Sequence, residues 1–230
     1  DLDGLAKSSS DWVKRVSSPE QITQCANDAW KAANESPGNI ATLVVPADYA
    51  WSDIESDLPK KVELNNPKSV DSKLIEAAYS LLSKPNSMLY LGGKFLDEEC
   101  LKFAAQIATK TGCRLVTDTF VSRIRRGAGL PIVQQVPYFS EMAEDFLQGT
   151  ESIVFIGTKP PVSFFAYPDK KSFLSPDEAE LFELCSVEEN GYEALALLSE
   201  LSGSPKIANG LIRPYIADVP TSGDLDVTTL

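Results

Sequence analysis

Apolar residues in this chain follow two periods, one helical and one nearly continuous, and the switch between them marks the elements. Over residues 18–33, Ile22, Cys25, Ala26, Ala29 and Ala33 share one face at helical spacing. Ser18 is placed to cap this helix, Pro19 suits its first position, and Gln21 completes an S-x-x-Q capping box. Ser36-Pro37-Gly38 interrupts the pattern, and Ile40-Ala-Thr-Leu-Val-Val45 follows as a strand that Pro46 stops. Its unbroken apolar run predicts burial on both faces of a parallel sheet. One helix cannot cover such a strand, and residues 1–17, polar and irregular, offer no recognisable sheet partner. Since Asp1 rather than Met opens the chain, the expectation is a piece of a longer protein with its N-terminal half missing.

Residues 51–70 combine charges with Pro59, Pro67 and Asn65-Asn66, which reads as a linker. A regular alternation then begins. The pattern predicts helix 71–84, strand 87–91, helix 97–110 closed by Gly112, and strand 113–117. After a long loop come helix 140–148, between a Ser140 cap and a Gly149 stop, strand 152–156, strand 181–187 and helix 191–201. Helices and strands in strict alternation predict an α/β fold, a doubly wound and mostly parallel sheet over residues 71–202. Residues 203–230, rich in Gly, Pro and Asp, read as an exit linker.

Composition narrows the function. The 230 residues include no histidine, which excludes Ser–His–Asp and Cys–His nucleophile systems, His-ligated zinc and an imidazole base. With 21 Lys+Arg against 33 Asp+Glu, the net charge of −12 argues against a nucleic-acid partner. Cys25, Cys100, Cys113 and Cys185 are widely spaced among apolar neighbours, so they read as buried free thiols in a reducing, cytoplasmic setting. No apolar run approaches the ~20 residues of a membrane helix, so no membrane partner is expected.

In a doubly wound sheet, ligands bind beyond the carboxyl ends of strands. Gly92 and Gly93 follow the first strand of the alternation and lead to a helix N-terminus, where backbone could approach an anion. Thr117, Thr119 and Arg123 follow the second, within a loop that interleaves Arg125, Arg126, Gly127 and Gly129. Between residues 94 and 126, seven bases face four acids, a local charge of +3 that could clamp a phosphate or carboxylate. The alternative is a solvated loop pairing with acidic neighbours. Gly157, Thr158 and Lys159 follow the third strand, and Phe164, Phe165 and Tyr167 come just after. Those rings could stack on a planar group or anchor an interface; core packing of at least two is the plainer expectation. These eight candidates, Gly92, Gly93, Thr117, Thr119, Arg123, Gly157, Thr158 and Lys159, are read as cofactor-binding. No residue is assigned a catalytic or metal-ligating role, and no P-loop is present.

Three motifs, Arg126-Gly-Ala-Gly-Leu-Pro131, Val136-Pro-Tyr-Phe139 and Phe164-Phe-Ala-Tyr-Pro168, together with Pro46-Ala-Asp48, resemble thiamine-diphosphate-dependent enzymes of the acetolactate-synthase-like large-subunit group. The resemblance implies that residues 1–50 are the end of a pyrimidine-binding domain and that 71–202 are the central domain. Residues 203–230 would then lead towards a diphosphate-binding domain. It implies thiamine diphosphate and Mg in a parent transferase or lyase that decarboxylates or joins 2-oxo acids, with homo-oligomers or docking to the missing domains. The family's activating glutamate would precede this chain and its Gly-Asp-Gly…Asn motif would follow it, so the fragment itself is expected to be inactive and free of thiamine diphosphate. True acetolactate synthases also hold FAD in the central domain, through Gly-rich strand ends and an Arg after the third; here Lys159-Pro160-Pro161 stands in that region. Two other readings stay open: a stand-alone FAD- or NAD-type nucleotide-binding module, and a non-catalytic structural or interaction fragment.

Overall fold

Strand signals and the contacts that satisfy them diverge first at the N-terminus. The structure, a computed structural model, describes residues 1–54, 62–166 and 168–214. Tyr167, part of the 51–70 segment and the last residues of the exit segment lie outside them. The chain forms two compact units, residues 1–68 with 187–190, and residues 69–186 with the remainder from 191.

In the first unit, α1 (Leu2–Lys7) precedes β1 (Trp12–Arg15), followed by α2 (Ile22–Asn34), β2 (Ala41–Val44) and the short α3 (Ala47–Ala50). β1 is the parallel sheet partner that sequence did not reveal, with Trp12 opposite Ala41 and Arg15 opposite Val44. Lys14 and Arg15 hide it by breaking the apolar run. Their charges are met by Asp28, 2.8 Å from Lys14, and by Asp3, 2.7 Å from Arg15. The expected burial of β2 on both faces is also corrected. Ala41, Thr42 and Leu43 are half-buried, because a two-stranded sheet with one long helix cannot enclose a strand. Nor does the capping box form: Ser18 is extended, but its side chain makes no capping bond, and a 3-10 turn over Pro19–Gln21 leads into α2.

The second unit holds α4 (Ser72–Leu82), β3 (Ser87–Leu91), α5 (Glu98–Thr111), β4 (Arg114–Thr117), β5 (Gln134–Gln135), α6 (Ser140–Leu147), β6 (Ser152–Ile156), β7 (Glu180–Cys185) and α7 (Gly191–Leu201). All five strands are parallel in the order β5-β4-β3-β6-β7, which makes the α/β doubly wound expectation correct. Side chains alternate across the pleat. Leu89 and Leu91 join α4, α5 and α7 on one face, whereas Met88 and Tyr90 join Ala143 and Leu147 of α6 on the other. Every residue of β3 and β6 is buried, as near-continuous apolar central strands require.

Local chemistry sets the helix ends. Asp71 and Asp97 accept from backbone amides as N-caps of α4 and α5, and Gly112 closes α5 with φ +78°. Ser140 is not a cap: it is the first residue of α6, and its hydroxyl bonds to Ser163 Oγ at 2.7 Å. At the sheet's other end, buried Ser87 and Ser152 donate to Leu82 and Leu81 carbonyls, satisfying the C-terminus of α4. β5 was not visible in sequence, since two polar glutamines carry no apolar signal and only the ladder to Val116 and Thr117 defines it. Among the described residues, no helix is long and apolar enough to cross a membrane.

Candidate functional site

The strand order fixes where a ligand crevice would open. From β3 the chain winds to β4 and β5, then returns beside β3 as β6 and winds outward to β7. The loops after β3 and β6 therefore diverge, and their carboxyl ends form the topological switch point. Gly92 and Gly157 sit there side by side, where the sequence reading expects them to matter.

Their backbones, however, serve the protein's own packing. The N–H of Gly92 donates to Ile156 O at 3.0 Å, and that of Gly157 donates to Cys185 O at 2.8 Å. A side chain on Gly92 would come 2.5 Å from Thr158 Cβ, and one on Gly157 would run into the ring of Phe95. Gly191, at the start of α7, confines the same ring: an added Cβ would lie 2.7 Å from Phe95 Cζ. Phe95, 2 % exposed, thus plugs the switch point between two glycines. The region does not fit a pyrophosphate approaching the Gly92 and Gly157 amides.

The threonines are likewise engaged. Thr117 Oγ1 donates to Leu91 O and Thr119 Oγ1 to Val136 O, tying β4 to its neighbours. Thr158 Oγ1 donates to Asp118 Oδ2 at 2.7 Å, and the Tyr90 hydroxyl donates to Asp118 Oδ1 at 3.0 Å. Asp118 is therefore a hub joining the ends of β3, β4 and β6. Burial, reinforced by the negative Asp118, pushes the Tyr90 phenol above its ordinary range. Neither Tyr90 nor Asp118 was a candidate from sequence. A tyrosine inside an otherwise aliphatic strand and an acid at a strand's carboxyl end were the available signals.

Gly93, Arg123 and Lys159 remain exposed at this edge. The structure thus gathers Gly92, Gly157 and Thr158 at the plug, places Thr117 and Thr119 in the ladder, and leaves Arg123 and Lys159 facing solvent. Arg126 Nη2 donates to Gln135 Oε1 at 2.6 Å, which holds part of the basic loop against β5. Core packing of the 164–165 rings is corrected: Phe164 and Phe165 are each 52 % exposed. They form a surface cluster with Phe120, Tyr138 and Phe139, in which Tyr138 stacks on Phe164 with centroids 5.5 Å apart. Loops after β4, β5 and β6 carry these rings to one place. All four cysteines are buried, and none is joined in a disulfide. Among the described residues, no three His, Cys, Asp or Glu side chains gather as a metal-holding group.

No protein-family model matches the sequence. The chain is 35% identical over 233 aligned residues to the acetolactate synthase large subunit-like protein IlvX of Mycobacterium tuberculosis, an alignment covering 98% of this chain and 42% of that one. It therefore spans less than half the length of the curated relative it matches. In fold it is similar to the thiamine diphosphate-dependent 4-hydroxybenzoylformate decarboxylase of Rhodococcus jostii RHA1, with TM-score 0.65 at 18% identity, over 98% of this chain and 45% of that one. It is also similar to benzoylformate decarboxylase from Polynucleobacter necessarius, with TM-score 0.64 at 19% identity, over 96% and 44% of the two chains. The resemblance read from the sequence motifs is upheld: this chain has the fold of part of thiamine-diphosphate-dependent enzymes and sequence kinship to the acetolactate-synthase-like group.

Proposed function

We propose that this chain is the central portion of a thiamine-diphosphate-dependent 2-oxo acid enzyme, and that by itself it is a scaffold rather than a catalyst. The observation that carries this reading is the 35% identity to an acetolactate synthase large subunit-like protein along 98% of the chain. In such an enzyme the bound thiamine diphosphate supplies the carbon nucleophile and electron sink for chemistry at the oxo carbon. This chain's own residues do something different. The Phe95 plug and the Asp118 hub stiffen the carboxyl edge of the sheet, and the 119–139 loop presents arginines and aromatic rings beyond it. A rigid edge of this kind suits the wall of a substrate entrance.

The residues of the chain also support the expectation that it holds neither thiamine diphosphate nor Mg. It has no Gly-Asp-Gly…Asn run; Gly223-Asp224-Leu225-Asp226 is not that motif. Filling of the switch point by Phe95, with the Gly92 and Gly157 amides already bonded, weighs against the FAD- or NAD-module reading. Calorimetric titration of the purified chain with thiamine diphosphate and Mg should give no binding isotherm. Stoichiometric binding would sink the proposal. A positive test is a chimaera in which residues 1–214 replace the matching segment of a benzoylformate decarboxylase. The proposal expects a folded protein that binds the cofactor, and loss of folding with both parent pieces intact would count against it.

A further inference from the structure

Helix α7 carries more apolar surface than the core takes up. Ala194, Leu195 and Leu198 are buried against the sheet and its neighbouring helices. Leu197 is only half-buried, and Leu201, one turn later, is 47 % exposed. A helix with apolar positions beyond its core-facing stripe has surface left for a second cover. Beside these leucines runs α4. Ile75 of α4 forms a buried floor, and Ser72 and Glu76 complete that side, with Glu200 on the side of α7. The six residues line an open groove of about 320 Å³, wholly within the second unit.

Both carboxylates of this groove are unmet. Glu76 and Glu200 are exposed, and neither side chain joins a hydrogen bond or ion pair among the described residues. Lys73, a turn before Glu76 on α4, neither lines the groove nor pairs with an acid. Glu200 is also badly placed for its own helix. It lies in the last turn of α7, where the macrodipole is already negative and no base offsets it. The side-chain charge and the helix terminus therefore act together, beside the exposed Leu201. A cation arriving from outside would relieve both.

We propose that the α4–α7 groove docks a basic amphipathic helix of a partner protein. The partner's aliphatic stripe would lie over Ile75, Leu197 and Leu201, with a lysine or arginine on each flank meeting Glu76 and Glu200. A third helix laid along two packed ones is ordinary helix-in-groove recognition. Charge complementarity singles out this occupant. A second copy meeting through the same groove would set carboxylate against carboxylate, and an anionic membrane would be repelled. A small amine would answer the charge but leave most of the open groove wet. The net charge of −12 also favours the approach of a basic partner. Nothing in this docking depends on thiamine diphosphate.

Fluorescence anisotropy of a labelled leucine/lysine peptide, with leucines at i, i+3, i+4 and i+7, tests it on the 230-residue chain. The expected result is saturable binding that E76K/E200K weakens at least about tenfold. E63K/E178K changes the net charge equally at exposed acids outside the groove, and should weaken binding less than about twofold. A peptide of the same composition without the stripe should bind at least about tenfold more weakly than the striped one. The matching leucine/glutamate peptide should bind E76K/E200K better than it binds the parent, a gain that an unfolded variant would not show. No saturable binding would overturn the proposal. So would equal loss in the two charge variants, equal binding of the stripeless peptide, or hexylammonium binding the groove as tightly as the helix.

Discussion

The hydroxyl of Tyr90 reaches Asp118 Oδ1 at 3.0 Å across the carboxyl end of the sheet, and the other oxygen of the same carboxylate takes the Thr158 hydroxyl at 2.7 Å. One half-buried acid thereby joins three strands that the chain brings together from 28 and 40 residues away. Removing either donor leaves the carboxylate short of a partner where water reaches it poorly. Tyr90→Phe should therefore cost about 1.5–3 kcal/mol, the range for hydrogen bonds to charged groups, measured by urea denaturation. Thr158→Val should cost a similar amount, and the double variant less than the sum, since both act on Asp118.

The same tyrosine predicts a pH dependence. Its folded pKa lies above the ordinary tyrosine value near 10, chiefly through burial and then through Asp118. Below that value the phenol is neutral in both states and its contribution is complete. Above it the unfolded chain ionises Tyr90 while the native state does not, so the unfolded state binds fewer protons and stability falls as pH rises. Denaturation midpoints from pH 8 to about 11.5 should fall more steeply for the parent than for Tyr90→Phe. Parallel curves would contradict this assignment.

Gly157 is the position where the plug has no slack. It has φ +66°, and a side chain there would meet the Phe95 ring. Gly157→Ala should combine left-handed strain with overpacking, about 3 kcal/mol together. In a Phe95→Leu background the steric part should relax, leaving about 1–2 kcal/mol. A double-mutant cycle on unfolding free energies measures the difference.

Burial pushes the Cys113 thiol up to about 11 and raises Cys100 as well, the latter with help from Asp97. Neither supplies thiolate at neutral pH. With Cys25 and Cys185 also buried, native protein at pH 8 should react with a thiol reagent only at the rate at which it opens. In guanidinium, four thiols per chain should react at once. A fast-reacting thiol in native protein would contradict the burial.

Arg114 holds an edge of the sheet by its planar fork. Nε and Nη2 both donate to Gln134 Oε1, Nη1 donates to the Phe146 carbonyl, and the guanidinium lies 4.3 Å from the Phe146 ring centroid. Lysine keeps the charge but not the fork. Arg114→Lys should lose about 1–2 kcal/mol of stability by urea denaturation.

Much of the second unit was legible in the chain because its signals are local. Buried central strands read as unbroken apolar runs at Ser87–Leu91 and Ser152–Ile156, Asp97 and Gly112 mark the ends of α5, and α7 spans 191–201 as its periodicity predicts. The glycines at the strand ends were also legible as special. What they do was not, because Phe95 reaches Gly157 and Gly191 only once β6 and α7 have been laid beside β3.

The sequence by itself determined the α/β class, the alternation of elements and the family resemblance, since periodicity, capping residues and short motifs are properties of neighbouring residues. Tertiary structure alone decided that β1 pairs with β2 despite Lys14 and Arg15, and that Gln134–Gln135 is a strand. It also decided that Asp118 gathers Tyr90 and Thr158, and that the rings of Phe120, Tyr138 and Phe164 meet at the surface rather than in the core. Each of these depends on which distant segment supplies the partner charge, ladder or ring. The chain pattern carries no such information until the sheet order is set.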